Sequence, residues 1–240
     1  MTAHPVSPPD RAINDNAKCR EYTCAAEFES ELYSIKWAGT MQYPELQGFP
    51  NISDVECSKV QLSSPMQEAW SCSTLITYGA DAVVRCAHSG RFPVLKLAHL
   101  KQESKARLQH ELTTMQELNR VSLALPLYDP KPLSDVDGVF GYRLEKLIPL
   151  SPNELNSRRS DIWSVVDRLH HAGFCHGDLT PSNVMKNVFG DIIIIDFSFA
   201  GRIGAPIPDY IPSWMYRSSH FHTLPDLEAL NRFFARPKPA

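Results

Sequence analysis

The stretch HGDLTPSNVMKNVFGDIIIIDFSFAG, His176 to Gly201, decides how the rest of the chain is read. Asp178 and Asn183 lie five apart on a segment that Pro181 keeps from being an ordinary helix interior. Val184 to Lys186 can form a short strand. Phe189-Gly190-Asp191 is a turn signal, and Ile192 to Ile195 is a β-branched, wholly apolar run that reads as a buried strand. The hairpin these make returns Asp196 to the side of Asn183. Three oxygen-bearing side chains then converge, the kind of donor set that Mg2+ and a phosphate chain use. Taken singly, Asp and Asn in loops are also turn formers and caps, and a turn before four isoleucines needs no function.

Taken in order, the string resembles the catalytic segment of the protein-kinase superfamily. There His-Arg-Asp-Leu-Lys-Pro-x-Asn is followed by a strand and Asp-Phe-Gly. Here it reads His176-Gly177-Asp178-Leu179-Thr180-Pro181-Ser182-Asn183, then Ile195-Asp196-Phe197-Ser198. The resemblance implies that Asp178 orients and deprotonates an acceptor hydroxyl, and that Asn183 and Asp196 hold the metal. It implies an α+β, two-lobed protein-kinase-like fold, with a small β-rich N-lobe over 73–148 and a shortened helical C-lobe over 149–236. ATP and Mg2+ are the implied cofactors, and a hydroxyl of a protein or a small molecule is the implied acceptor.

Upstream, Thr74–Tyr78, Ala82–Ala87 and Phe92–Leu97 read as three strands. The turn Tyr78-Gly79-Ala80-Asp81-Ala82 falls where kinases have a glycine-rich lid over the ATP phosphates, with Gly79 its one glycine and Asp81 adding negative charge. Lys96, in Val94-Leu95-Lys96-Leu97, resembles the strand lysine that contacts phosphate. Glu103–Asn119 is an amphipathic helix with Leu108, Leu112, Met115 and Leu118 at helical spacing. Glu111 edges that buried face, where a carboxylate wants a cation. By resemblance the cation is Lys96, with Glu103 and Glu117 as rival partners. Leu123–Tyr128 and Val139–Leu147 read as the last strands of the small lobe, joined through an Asp135–Gly138 turn. The Leu144-Glu145-Lys146-Leu147 run stands at the kinase hinge, where backbone amides at Glu145 and Leu147 are expected to meet adenine.

Pro149 and Pro152 end the strand. Ser160 is a cap for a helix over Asp161–Ala172 with an Ile162, Val165, Val166, Leu169 stripe and Gly173 past its end. Arg202–Ser219, with Pro206, Pro208 and Pro212, reads as irregular. Thr223–Phe234 is a last helix with Pro225 near its start. Asp226 is either the acid that braces the catalytic loop in kinases or part of a plain Thr223-x-x-Asp226 cap, and the cap is preferred.

The first seventy residues say less. Met1–Lys18 reads as a disordered tail, with Pro5, Pro8 and Pro9 and no periodicity. Residues 19–72 read as an N-terminal extension that either packs on the small lobe or covers the cleft. With 240 residues, 43% of them hydrophobic, and a net charge of −3, the chain suits one compact two-lobed domain or two small ones. It offers no electrostatic argument for nucleic acid or an acidic membrane. No apolar stretch is long enough to span a bilayer, and the N-terminus lacks a secretory core. Six cysteines without zinc spacing suit reduced thiols in an intracellular protein, with Cys175 a small core residue.

Three departures from the kinase pattern shape the functional expectation. Gly177 replaces the arginine that pairs with a phosphorylated activation loop. Thr180 replaces a phosphate-steadying lysine, and Ser198 the glycine of Asp-Phe-Gly. His-Gly-Asp also resembles small-molecule phosphotransferases, and the short C-terminal part resembles minimal atypical kinases such as the tRNA-modification kinase or the Rio type. The expectation is an atypical kinase-like phosphotransferase. The alternatives are a pseudokinase scaffold and a kinase fold turned to other chemistry.

Overall fold

Polar and apolar residues alternate along Glu21–Phe28, and in the structure every second residue turns inward: Tyr22, Cys24 and Ala26 are buried. The structure is a computed structural model that describes residues 4–5, 10–11, 21–52, 55–120 and 125–234. It divides into two compact units, one of residues 1–99 with 131–143 and the other of 100–130 with 144–240. The architecture is α+β and kinase-like, with strands concentrated in the first unit and helices in the second.

The first unit holds two sheets. One is built from β1 (His4–Pro5), β2 (Asp10–Arg11), β3 (Glu21–Phe28), β4 (Glu31–Ala38) and β5 (Val55–Lys59). β1 and β2 both pair with β3, so these four residues of the expected disordered tail are ordered strand; the rest of Met1–Lys18 lies outside the described residues. Helix α1 (Ser64–Ser71) follows, with Met66, Ala69 and Trp70 buried. The second sheet contains β6 (Ser73–Tyr78), β7 (Ala82–Ala87), β8 (Val94–Ala98), β9 (Leu133–Asp135) and β10 (Gly138–Leu144), in the order β6-β7-β8-β10-β9. Leu32 from β4 shares a core with Trp70, Val83, Leu95, Leu97 and Phe140. The extension therefore packs on the small-lobe sheet, and its own β-structure was unforeseen.

A buried guanidinium pins these parts together. Arg85 on β7 is fully buried. It donates to both carboxylate oxygens of Glu27 on β3, at 2.6 and 3.0 Å, to Ser73 Oγ, and to the carbonyls of Trp70 and Ser73. Its guanidinium also stacks 4.1 Å above the Trp70 ring.

The second unit begins with α2 (Gln102–Asn119), which buries Leu108, Glu111, Leu112, Met115 and Leu118. The sequence expectation placed this helix in the small lobe. The structure groups it with the later segments, to which Arg107 (Tyr210 O), His110 (Ala200 O) and Glu117 (Arg202) bond. Next come β11 (Ile148–Pro149), α3 (Pro152–Ser157), α4 (Arg159–His171) and β12 (Phe174–Cys175). The helix α4 forms on the expected apolar stripe, but Ser160 does not cap it; its N-cap is Arg158, with no side-chain cap bond. The capping box belongs instead to α3, where Ser151 and Glu154 bond reciprocally and Pro152 starts the helix. The pattern Ser151-Pro152-Asn153-Glu154 carried that signal.

A three-residue 3₁₀ turn, Pro181–Asn183, leads into β13 (Val184–Lys186), which pairs with β11 and with β14 (Ile192–Ile194). β15 (Gly201–Arg202) pairs with β12, and α5 (Ser213–Tyr216) and α6 (Leu224–Phe233) complete the unit. The segment expected to be irregular closes on itself: Pro206 bridges His220, Ile207 N–H donates to Ser219, and Phe221 N–H to Ala205. Ile211, Tyr216 and Phe221 bury against Cys175 within it. Residues 123–124 of the expected Leu123–Tyr128 strand lie outside the described residues; Tyr128 makes an isolated bridge to Leu144. No helix among the described residues is long and apolar enough to cross a membrane.

Candidate active site

The β13–β14 hairpin does what its sequence dictates. Val184 pairs with Ile194, and the next backbone bond runs from Ile195 N–H to Asn183 O at 3.0 Å. Asn183 and Asp196 thus flank the same end of the hairpin. Asn183 Nδ2 donates to the Asp178 carbonyl at 2.8 Å, which ties the two halves of the motif together and leaves Oδ1 as the acceptor of that amide. Asp196 holds left-handed backbone, φ 66°, a conformation that Asp tolerates better than most side chains and that marks functional turns.

His176 supports the hairpin from below. It is fully buried, and its Nε2 lies 2.9 Å from the Ile195 carbonyl while Nδ1 accepts the Asp178 N–H at 3.3 Å. A carbonyl only accepts, so the proton sits on Nε2 and the ring is the neutral tautomer.

Asp226 is the residue whose expected role the structure corrects. It caps nothing: Thr223 makes no side-chain cap bond, and the Asp226 carboxylate is fully buried. One oxygen accepts the His176 N–H at 2.8 Å and lies 2.9 Å from His170 Nε2; the other accepts the Gly177 N–H at 2.8 Å. Two backbone donors in a tight loop need a fixed charge, and a carboxylate on α6 supplies it. His170, unsuspected from sequence, lies on α4 directly after buried Leu169.

Gly177 has φ 82°, and a Cβ there would overlap the Tyr216 hydroxyl and come within 2.7 Å of the Phe199 carbonyl. Tyr216 donates to that carbonyl at 2.6 Å and contacts Cys175 Sγ at 3.5 Å. Where the kinase pattern has arginine, this chain therefore packs a tyrosine from α5. Burial raises the Tyr216 phenol and pushes the Cys175 thiol up to about 12. Cys175 is fully buried, as expected. Thr180 Oγ1 and Ser182 Oγ bond to each other at 2.8 Å.

Glu111, 1% exposed, faces the Asp196-Phe197-Ser198 turn. Its Oε1 accepts the Phe197 N–H at 3.0 Å, and its Oε2 lies 3.1 Å from Ser198 Oγ. The second unit thus brings Asp178, Asn183, Asp196 and Glu111 into one bonded assembly. Glu145 is committed differently: its N–H donates to the Leu127 carbonyl and its carboxylate accepts the Leu127 N–H, at 2.8 and 2.7 Å. That clasp removes the Glu145 amide as an adenine donor and leaves its carbonyl. Leu147 is half-buried, in chain without regular structure just before β11.

Gly79 and Lys96 belong to the first unit. Lys96 is 9% exposed on β8, registered opposite Val84, with core residues Leu95 and Leu97 on the other face. Gly79 is held by its N–H to Ala82 O and by His99 Nε2 at its carbonyl, 2.8 and 2.9 Å. A Cβ at Gly79 would meet nothing closer than the Ala82 carbonyl at 3.6 Å, so the turn does not need glycine for space.

Among the described residues, no three His, Cys, Asp or Glu side chains form a cluster for a metal ion. Mg2+ does not ask for one, since it binds through one or two side-chain oxygens, substrate phosphates and water. Asn183 and Asp196, whose backbones flank the same end of the hairpin, have the donor types that suit that demand.

The fold is protein-kinase-like, and weak, partial matches to known proteins support at best a relationship at that level. No family model matches the chain. It is 48% identical over 50 residues to a probable bifunctional tRNA threonylcarbamoyladenosine biosynthesis protein of Methanothermobacter thermautotrophicus, covering 21% of this chain and 9% of that protein. A protein of the same description from Thermoplasma acidophilum is 32% identical over 110 residues, 43% of this chain and 19% of that one. Cyclin-dependent kinase G1 of Arabidopsis thaliana is 34% identical over 76 residues, 32% and 12% of the two chains. The chain thus spans less than a fifth of the length of each of these relatives.

Proposed function

We propose that the chain is an ATP- and Mg2+-dependent phosphotransferase that moves the γ-phosphoryl group to a hydroxyl of a protein or a small molecule. The observation that carries this is the hairpin that sets Asn183 beside Asp196 while Asn183 bonds the Asp178 backbone. Asn183 and Asp196 would hold the metal, which neutralises charge on the phosphates when bound. Asp178 orients the acceptor hydroxyl and takes its proton as the new O–P bond forms and the bond to the leaving diphosphate breaks. Lys96, with Glu111 as its expected partner, would contact the α- and β-phosphates. Gly79 would lie in the lid, and the Glu145 carbonyl and Leu147 would face adenine.

The test is ATP turnover by the purified chain with Mg2+, beside Asp178→Asn. Turnover is expected in the parent and lost in the variant, while Mg-ATP raises the melting temperature of both. Lys96→Met should lower turnover by weakening phosphate positioning. Equal turnover in Asp178→Asn removes that residue from the chemistry. Absence of any Mg-ATP melting shift in the parent chain overturns the proposal.

A further inference from the structure

The Asp196-Phe197-Ser198 turn contains a hydroxyl where the kinase pattern has glycine. Ser198 is 5% exposed, and its Oγ lies 2.8 Å from Asp196 Oδ1 and 3.1 Å from Glu111 Oε2. The left-handed backbone belongs to Asp196, not Ser198, so no conformational demand calls for glycine at 198. The side chain stands between two carboxylates, one on the hairpin turn and one on α2, within donating distance of each. The Phe197 N–H, 3.0 Å from Glu111 Oε1, holds the same turn against the same glutamate.

We infer that Ser198 is a positioning residue for a divalent cation: its hydroxyl fixes the Asp196 carboxylate against Glu111 in the orientation that meets the metal. This rests on the phosphotransfer site proposed above. A serine hydroxyl has one proton to donate, and the nearer acceptor is Asp196 Oδ1 at 2.8 Å, with Glu111 Oε2 the longer alternative at 3.1 Å. An aspartate on a short loop otherwise samples several side-chain rotamers, and ordering it costs affinity each time a metal binds. A bond made beforehand removes that cost. Alanine or glycine at 198 cannot make it; threonine can.

The experiment measures Mn2+ binding by electron paramagnetic resonance, with a non-hydrolysable ATP analogue, on the full chain and on Ser198→Ala, Ser198→Thr and Asp196→Asn. Thermal melts first establish that each variant folds. Ser198→Ala is expected to weaken Mn2+ binding about tenfold and Asp196→Asn by more, with Ser198→Thr close to the parent. Parent-like affinity in Ser198→Ala overturns the inference. So does equal weakening in Ser198→Thr, which would assign the effect to packing. If ATP turnover requires Asp178 but Mn2+ affinity ignores Ser198, the inference falls and phosphotransfer stands. Affinity that depends on the hydroxyl, in a chain that transfers no phosphate, keeps the inference and removes phosphotransfer. Mn2+ affinity that ignores Asp196 overturns both.

Discussion

At the scale of single residues, Asp226 and Gly177 form the support of the loop that carries Asp178. The Asp226 carboxylate is buried and meets two backbone N–H groups and His170, so its loss strands donors that water cannot reach. Asp226→Asn puts an NH2 group against one of those donors. It should cost about 3 kcal/mol in chemical denaturation, and turnover should fall with it. Gly177→Ala drives a methyl group into the Tyr216 hydroxyl and asks alanine for φ 82°. That change should cost about 2–4 kcal/mol. Tyr216→Phe in the same chain should recover part of it, because it removes the overlapping oxygen but leaves the Phe199 carbonyl in place. A double-mutant cycle measures the coupling, and strictly additive losses would show that the two side chains do not compete for that space.

Among elements, α3 and β13 are joined by one carboxylate. Glu154 completes the capping box with Ser151 and also pairs with Lys186 on β13. The Lys186 ammonium first, and then the Ser151 N–H and hydroxyl, lower the Glu154 carboxyl from 4.5 to about 2. A depressed carboxyl contributes its stabilisation in full above its unfolded pKa and loses it as pH falls towards the folded value. The Glu154 contribution is therefore present above about pH 4.5 and fades towards about pH 2. Glu154→Gln should flatten that part of the stability curve, read from urea melts across the acid range. An acid limb as steep as the parent's would mean that Glu154 does not carry this dependence. The α3 cap was written in the sequence as Ser-Pro-x-Glu; the Lys186 partner, thirty-two residues on, was not.

For the whole molecule, the extension is part of the first unit's fabric. Arg85 is the point of attachment, since its buried guanidinium binds Glu27 from β3, the Trp70 carbonyl at α1 and Ser73 on β6. Arg85→Met leaves a carboxylate and two carbonyls without their donor, and should cost about 3–5 kcal/mol. Glu27→Gln, which keeps a neutral acceptor, should cost less, about 1–2 kcal/mol. Both are read by thermal or urea unfolding; a neutral Arg85→Met would detach the extension from the stability of the unit.

The sequence by itself determined the elements whose pattern is local. The isoleucine run made β14, the Ile162–Leu169 stripe made α4, and the Phe189-Gly190-Asp191 turn between two short strands foretold the hairpin that places Asn183 and Asp196 at one end. The alternation in Glu21–Phe28 is equally local, with Tyr22, Cys24 and Ala26 turned inward. Tertiary structure alone decided that Asp226 turns inward, that Tyr216 occupies the space at Gly177, that Arg85 is buried and that Ser198 reaches Glu111. Asp226, Tyr216, Arg85 and Ser198 find partners far along the chain. Periodicity says which face of an element is apolar, but a polar group's burial depends on which distant donor or acceptor the completed packing sets against it.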